Sequence, residues 1–152
     1  MTPTVLLEEL AAYLKSANEE YFLTDERYRG KEITVQPGFL KKKQSADESQ
    51  FPYIVPRFMK STDDNDGSTV TVRIYFGTHS EDIEHGWREV MSLMENSRLA
   101  LLKKQTIAKR FRLQLPLTME LTEDQPYPEW VGYMTAVYTL PMPVEELNFM
   151  KR

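Results

Sequence analysis

The chain has 152 residues, of which 41% are hydrophobic and 28% charged, as in an average soluble globular protein and unlike a disordered chain or a membrane protein. Because this length matches one ordinary domain, we expect a single domain over residues 1–152. The net charge of −4 argues against a dedicated nucleic-acid binder, and the absence of cysteine excludes disulfides and thiolate chemistry.

The beginning of the chain predicts a helix and then a weakly patterned region. Over residues 3–17, a proline suits the first turn and leucines recur on one helical face. No apolar run approaches the roughly 18–20 residues that span a bilayer, and the first residues lack the pattern of a signal peptide. We therefore expect synthesis in the cytoplasm and no membrane partner. Residues 32–36 predict a short strand, and residues 37–50 have the composition of a flexible loop.

Two strands joined as a hairpin form the clearest signal. Residues 68–77 alternate between polar and apolar side chains, which is the period of a strand with one buried face. Residues 53–60 predict the preceding strand, although Pro56 favours an edge position or a bulge there. The Asp63–Gly67 run between them is rich in residues that tolerate turns. Its spacing does not fit a calcium loop, because Arg73 stands where the twelfth position needs an acid.

A long helix over residues 81–103 is predicted next. Thr78 and Glu81 have the spacing of a capping box, and Ile83, Trp87, Val90, Met91, Met94 and Leu101 recur on one face. Arg98 interrupts this stripe, which indicates either an earlier end of the helix or an arginine stem lying along the edge of the core.

Two more strands complete the predicted fold. Residues 111–117 alternate, and residues 130–140 are rich in valine, tyrosine and threonine. A proline-containing connection joins them, and residues 144–152 form a tail with a possible helical turn. The expected fold is α+β: a mixed, mainly antiparallel β-sheet with an N-terminal helix and one long helix packed on one face.

The residues that carry chemistry form no recognisable catalytic, metal or cofactor motif. His79 and His85 are six positions apart and do not share a helix face. The Arg73–Gly77 segment lacks the glycine spacing of an RNA-recognition strand, so Arg73 and Tyr75 are interpreted as a solvated or partner-facing side of that strand. We therefore expect no enzyme activity and no cofactor.

Aromatic residues on stiff loops are the candidate interface residues. Pro126 and Pro128 flank Tyr127 and precede Trp130, and rings held on a pre-stiffened loop lose little entropy on binding. Trp130 has two open interpretations, a contact with a partner or a plug at one end of the sheet. Phe39 and Leu40 follow a Pro-Gly turn in the same manner, which makes the candidate interface Phe39, Leu40, Tyr127 and Trp130.

Parts of the sequence resemble the tail-terminator and neck proteins of long-tailed phages and prophages. The resemblance covers about residues 52–143: the strand ending Val-Arg-Ile-Tyr-Phe-Gly-Thr-His-Ser, the helix that opens near Gly86 and Trp87, and Glu123-Asp-Gln-Pro-Tyr-Pro-Glu-Trp before the last strand. It implies a subunit without catalytic residues that forms a ring with copies of itself, commonly a hexamer, and that caps the tail tube and joins it to the head.

The resemblance also implies partners and places. These are the tail tube protein, a head-completion or connector protein, and DNA that passes through the lumen without specific binding, in the host cytoplasm during assembly and then in the virion. The basic residues that could face such a lumen are Lys103, Lys104, Lys109 and Arg110. Two rival functions stay open: a small prophage-encoded regulator that binds nucleic acid, which predicts a contiguous basic face, and an enzyme of unrecognised type, which predicts a polar cleft.

Overall fold

Six strands and two helices make up the part of the chain that the structure, a computed structural model, describes: residues 2–20, 31–40 and 50–147. The elements are α1 (Pro3–Ala17), β1 (Thr34–Val35), β2 (Tyr53–Asp64), β3 (Gly67–His79), α2 (Trp87–Lys103), β4 (Thr106–Ile107), β5 (Phe111–Leu121) and β6 (Glu129–Leu140). They form one sheet in the order β1-β2-β3-β6-β5-β4, in which only β1 and β2 are parallel. The predicted α+β fold is confirmed.

Both helices pack on the same face of this sheet. The Thr2 hydroxyl accepts a hydrogen bond from the Val5 amide and so caps α1, and Leu6, Leu10 and Leu14 on one side of the helix are fully buried. In α2, Val90, Leu93, Met94, Ser97 and Leu101 are buried. Asn18 joins the two helices, because its side-chain amide donates to Leu14 O and to the Ser97 hydroxyl. The helices and the inward side chains of the sheet form one core.

The β2–β3 hairpin is present as predicted, and both strands are longer than the sequence indicated. Asp64 pairs with Gly67, whose φ of 133° is readily adopted by glycine, and the Asp64 carboxylate accepts from the Asp66 amide. β2 meets β1 only at Tyr53 and Ile54, and its register shifts between Phe58 and Lys60. Pro56 therefore lies in a strand that has a full-length neighbour on one side only.

The predicted start of the long helix is wrong. Thr78 does not cap a helix: it lies in β3, which continues to His79 because β6 pairs with it along that length. A turn follows, in which the Asp82 carboxylate accepts from the amides of Glu84 and His85. The helix begins at Trp87, so Ile83 lies outside it and is 70% exposed.

The remaining predictions are largely confirmed. Two strands occur at residues 111–121 and 129–140, although Leu115 is exposed because the register of β5 shifts between Gln114 and Thr118. α2 does not end early, and Arg98 is exposed within it. Residues 141–147 form no helix. Most of the predicted flexible loop, residues 41–49, and the last five residues of the tail lie outside the described residues.

Tyr138 supplies a test of the core. Its buried hydroxyl has no hydrogen-bond partner among the residues that the structure describes, and burial raises its pKa. Because an unsatisfied buried hydroxyl costs roughly 1–3 kcal/mol, we expect Tyr138→Phe to leave the free energy of unfolding in urea unchanged or to raise it. The matched control is Tyr13→Phe, which removes a 2.7 Å hydrogen bond to Ala100 O and should lower that free energy by about 1 kcal/mol. If both variants lost the same free energy of unfolding, the assignment of the Tyr138 hydroxyl as an unsatisfied buried group would be contradicted.

Candidate interaction surface

The face of the sheet opposite the helices carries the most distinctive group of side chains. The register places Arg57 of β2, Arg73 of β3 and Thr135 of β6 side by side, and Tyr75 beside Tyr133 one step along the same face. All five are partly exposed. They alternate with the buried residues of the same strands, so the pattern that sends apolar side chains to the helices sends these outward.

Arginines and aromatic rings stack on one another across this face. The Arg57 guanidinium carbon lies 4.2 Å from the centroid of the Phe39 ring and 4.6 Å from that of Tyr75, and its Nε donates to Gly38 O at 2.8 Å. The Arg73 guanidinium carbon lies 4.7 Å from the Tyr133 centroid, and the two tyrosine rings are 6.0 Å apart. Phe39 joins four of the strand residues in these contacts. We call the group of Phe39, Arg57, Arg73, Tyr75 and Tyr133 the arginine–aromatic surface.

The positive charge of this surface is not neutralised by the described chain. Arg57 and Arg73 are direct cross-strand partners, and like charges in that position repel each other. Among the described residues neither forms an ion pair, and the Arg73 Nε is buried without an acceptor. A hydrogen bond with Tyr75 is the main cause that raises the pKa of Arg73, so this side chain stays charged. The surface therefore suits an anionic ligand.

Glu120 is the carboxylate that affects the pKa values of Arg73 and Tyr133, and it already accepts a hydrogen bond from within the subunit. Its hydrogen bond with Tyr133 is the main cause that raises the pKa of the Tyr133 hydroxyl. It also raises the pKa of Arg73, but only as the weakest of several causes and without an ion pair. An incoming carboxylate or phosphate thus still finds two cationic groups.

The four predicted interface residues separate into different environments. Phe39 is 69% exposed and belongs to the arginine–aromatic surface, and the neighbouring Leu40 is partly exposed. Tyr127 is 47% exposed in the β5–β6 connection, where its hydroxyl donates to Glu81 O at 2.7 Å. Trp130 is only 8% exposed, and its indole Nε1 donates to Ser80 O at 3.0 Å. Of its two interpretations, the structure favours the plug at the end of the sheet.

The four basic residues predicted for a lumen are exposed at one end of the sheet. Lys103 and Lys104 end α2, and Lys109 and Arg110 lie in the turn between β4 and β5. The Lys104 ammonium lies 5.1 Å from the centroid of the Tyr13 ring, which gives it a contact within the subunit. These residues are apart from the arginine–aromatic surface, and their role in a lumen stays a prediction.

The histidines and acidic runs that the sequence singled out do not converge. His79 is buried at the end of β3, whereas His85 is exposed with its Nδ1 3.5 Å from the Asp82 carboxylate. Across residues 2–20, 31–40 and 50–147, no group of three or more histidine or acidic side chains is placed to hold a metal ion. No helix in this part of the chain is long and apolar enough to cross a membrane.

Comparison with known proteins finds no match to this chain among protein-family models or curated protein sequences. The function proposed below therefore depends on the geometry of the described residues together with the resemblance in sequence.

Trp130 and Tyr127 form a matched pair for a test of this placement. We expect Trp130→Ala to lower the free energy of unfolding by about 3–5 kcal/mol, because it removes a buried ring and leaves a cavity. Tyr127→Ala, at a half-exposed position three residues away, should cost far less and should retain the circular dichroism spectrum. A Trp130→Ala protein as stable as Tyr127→Ala would show that the tryptophan is not part of the core.

Proposed function

We propose that this chain is a non-enzymatic structural subunit that assembles with copies of itself, and that its role is that of a tail terminator, capping a phage tail tube and joining it to the head. The observation that carries self-assembly is the arginine–aromatic surface on a sheet face that the helices leave uncovered. The tail-terminator role rests on the sequence resemblance over residues 52–143.

The composition of this surface suits a protein interface. Arginine and tyrosine are enriched among the residues that contribute most to binding energy between proteins. Stacking between Phe39, Arg57 and Tyr75 already restricts their rotamers in the isolated subunit, so less side-chain entropy is lost when a partner binds. Arg57, Arg73, Tyr75 and Tyr133 lie on strands, which fixes the spacing of their contacts, whereas Phe39 lies in the bend after β1.

The same groups favour binding over chemistry. A guanidinium stays protonated at neutral pH, so Arg57 and Arg73 are suited to orient an anion and poorly suited to act as general acids or bases. A regulator that binds nucleic acid is supported less well, because Lys103 and Lys104 at the end of α2 are on the helix side of the sheet, whereas the arginine–aromatic surface is on the opposite face.

Assembly as a ring requires a head-to-tail interface, in which one surface of each copy meets a different surface of the next. The arginine–aromatic surface supplies one half of such an interface. In this proposal the ring meets the tail tube protein on one side and a connector protein on the other, and Lys103, Lys104, Lys109 and Arg110 are candidates to face the DNA in the lumen.

Light scattering coupled to size-exclusion chromatography tests the proposal over a wide range of concentration. We expect a discrete species of several subunits, with about six for a closed ring of the kind that the resemblance implies. The double variant Arg57→Gln/Arg73→Gln should weaken assembly by about tenfold or more, because arginine is enriched among the few interface residues whose loss costs about 2 kcal/mol or more.

The matched control is Arg88→Gln, because Arg88 also stacks on an aromatic ring, with its guanidinium carbon 5.5 Å from the Trp87 centroid, but lies on α2. It should assemble as the unmodified protein does. A protein that remains monomeric at every concentration would contradict self-assembly, and equal weakening by both arginine changes would contradict the assignment of the interface.

A further inference from the structure

We propose that the arginine–aromatic surface of one copy binds residues 141–147 of the next copy, a segment that we call the exit arm. This inference rests on the proposed assembly of copies and names the second half of its interface. It follows from three properties of the arm: its exposure, the order of its side chains and its length.

The exit arm leaves β6 and is exposed along its whole length. Each of its seven residues is exposed, including the apolar side chains of Met142 (44%), Val144 (92%) and Leu147 (62%). Pro141 and Pro143 fix their own φ angles and lack backbone donors, so they favour an extended chain that is not part of the sheet. An apolar segment that is already extended loses little entropy when a partner surface covers it.

The order of side chains in the arm matches the arginine–aromatic surface. In a strand-like conformation, which residues 144–147 can adopt because they contain no proline, successive side chains point to opposite sides. If Glu145 faces the sheet, Leu147 faces it as well, and if Glu146 faces the sheet, so does Val144. Each of these two registers presents one carboxylate and one apolar side chain, which are the groups that paired arginines and exposed aromatic rings bind.

The occupant is the arm of another copy because the arm is too short to reach the surface of its own subunit. β6 ends at Leu140, and Arg73 is level with Thr135, five positions back along the strand. This is about 17 Å at the rise of an antiparallel strand. Glu145 and Glu146 are five and six positions beyond Leu140, so at most one residue would remain to make the reversal. A neighbouring copy requires no reversal.

Disulfide trapping tests the contact, since the chain contains no cysteine and each introduced thiol is unique. Thr135→Cys places a thiol beside Arg73, and Leu147→Cys or Val144→Cys places one on the arm, one variant for each of the two registers. When Thr135→Cys is mixed with each arm variant and oxidised, we expect one of the two mixtures to give a disulfide-linked heterodimer several times more abundant than that formed by the same arm variant with Ser92→Cys, an exposed control position on α2. Adding Glu145→Gln/Glu146→Gln to that arm variant should abolish the excess.

The outcomes separate this inference from the proposed function. No excess over the Ser92→Cys control overturns the arm contact, and if light scattering still shows the assembly, self-assembly stands and uses another surface. Preferential formation of a disulfide within one chain of the double variant Thr135→Cys/Leu147→Cys also overturns it, because the arm would then bind its own sheet. If the excess of disulfide-linked heterodimer persists after both carboxylates are removed, the proposed charge pairing is wrong.

Discussion

The pairing of β3 with β6 decides which side chains meet the core and which lie on the helix-free face of the sheet. The two strands are in register from Ser68 and Leu140 to His79 and Glu129. Because side chains alternate, this register sends Val70, Val72, Ile74 and Phe76 to the helices and fixes Arg73 and Tyr75 on the other face. A shift of one residue would exchange the two sets. The fully buried apolar set thus holds the arginine–aromatic surface in place.

Local pattern predicted most of the fold, and long-range pairing accounts for the main error. The alternation in β3 and the leucine stripe of α1 are properties of short segments, so the sequence shows them directly. The Thr78–Glu81 spacing also fits a helix cap, but the partner that keeps Thr78 in a strand is Trp130, which lies 52 positions further along the chain. A single sequence contains no signal for that pairing.

The candidate surface was only partly predictable. The sequence marked Phe39 as an interface residue and interpreted Arg73 and Tyr75 as a solvated or partner-facing side of the strand. It gave no reason to connect them with Arg57 or Tyr133, since the five residues come from four separate segments that the sheet brings together. The sequence could not place Trp130, because a tryptophan beside prolines fits an exposed anchor and a buried plug equally well. The hydrogen bond from its indole to Ser80 O favours the plug.

In the proposed assembly, neighbouring copies cover the helix-free face of the sheet. Hydroxyl-radical footprinting with mass spectrometry measures this coverage directly, by comparing tyrosine oxidation in the assembled and the dissociated protein. We expect Tyr75 and Tyr133 to become several-fold less reactive on assembly, while the buried Tyr138 reacts slowly in both states. Unchanged oxidation of Tyr75 and Tyr133 in a protein that light scattering shows to be assembled would contradict this arrangement.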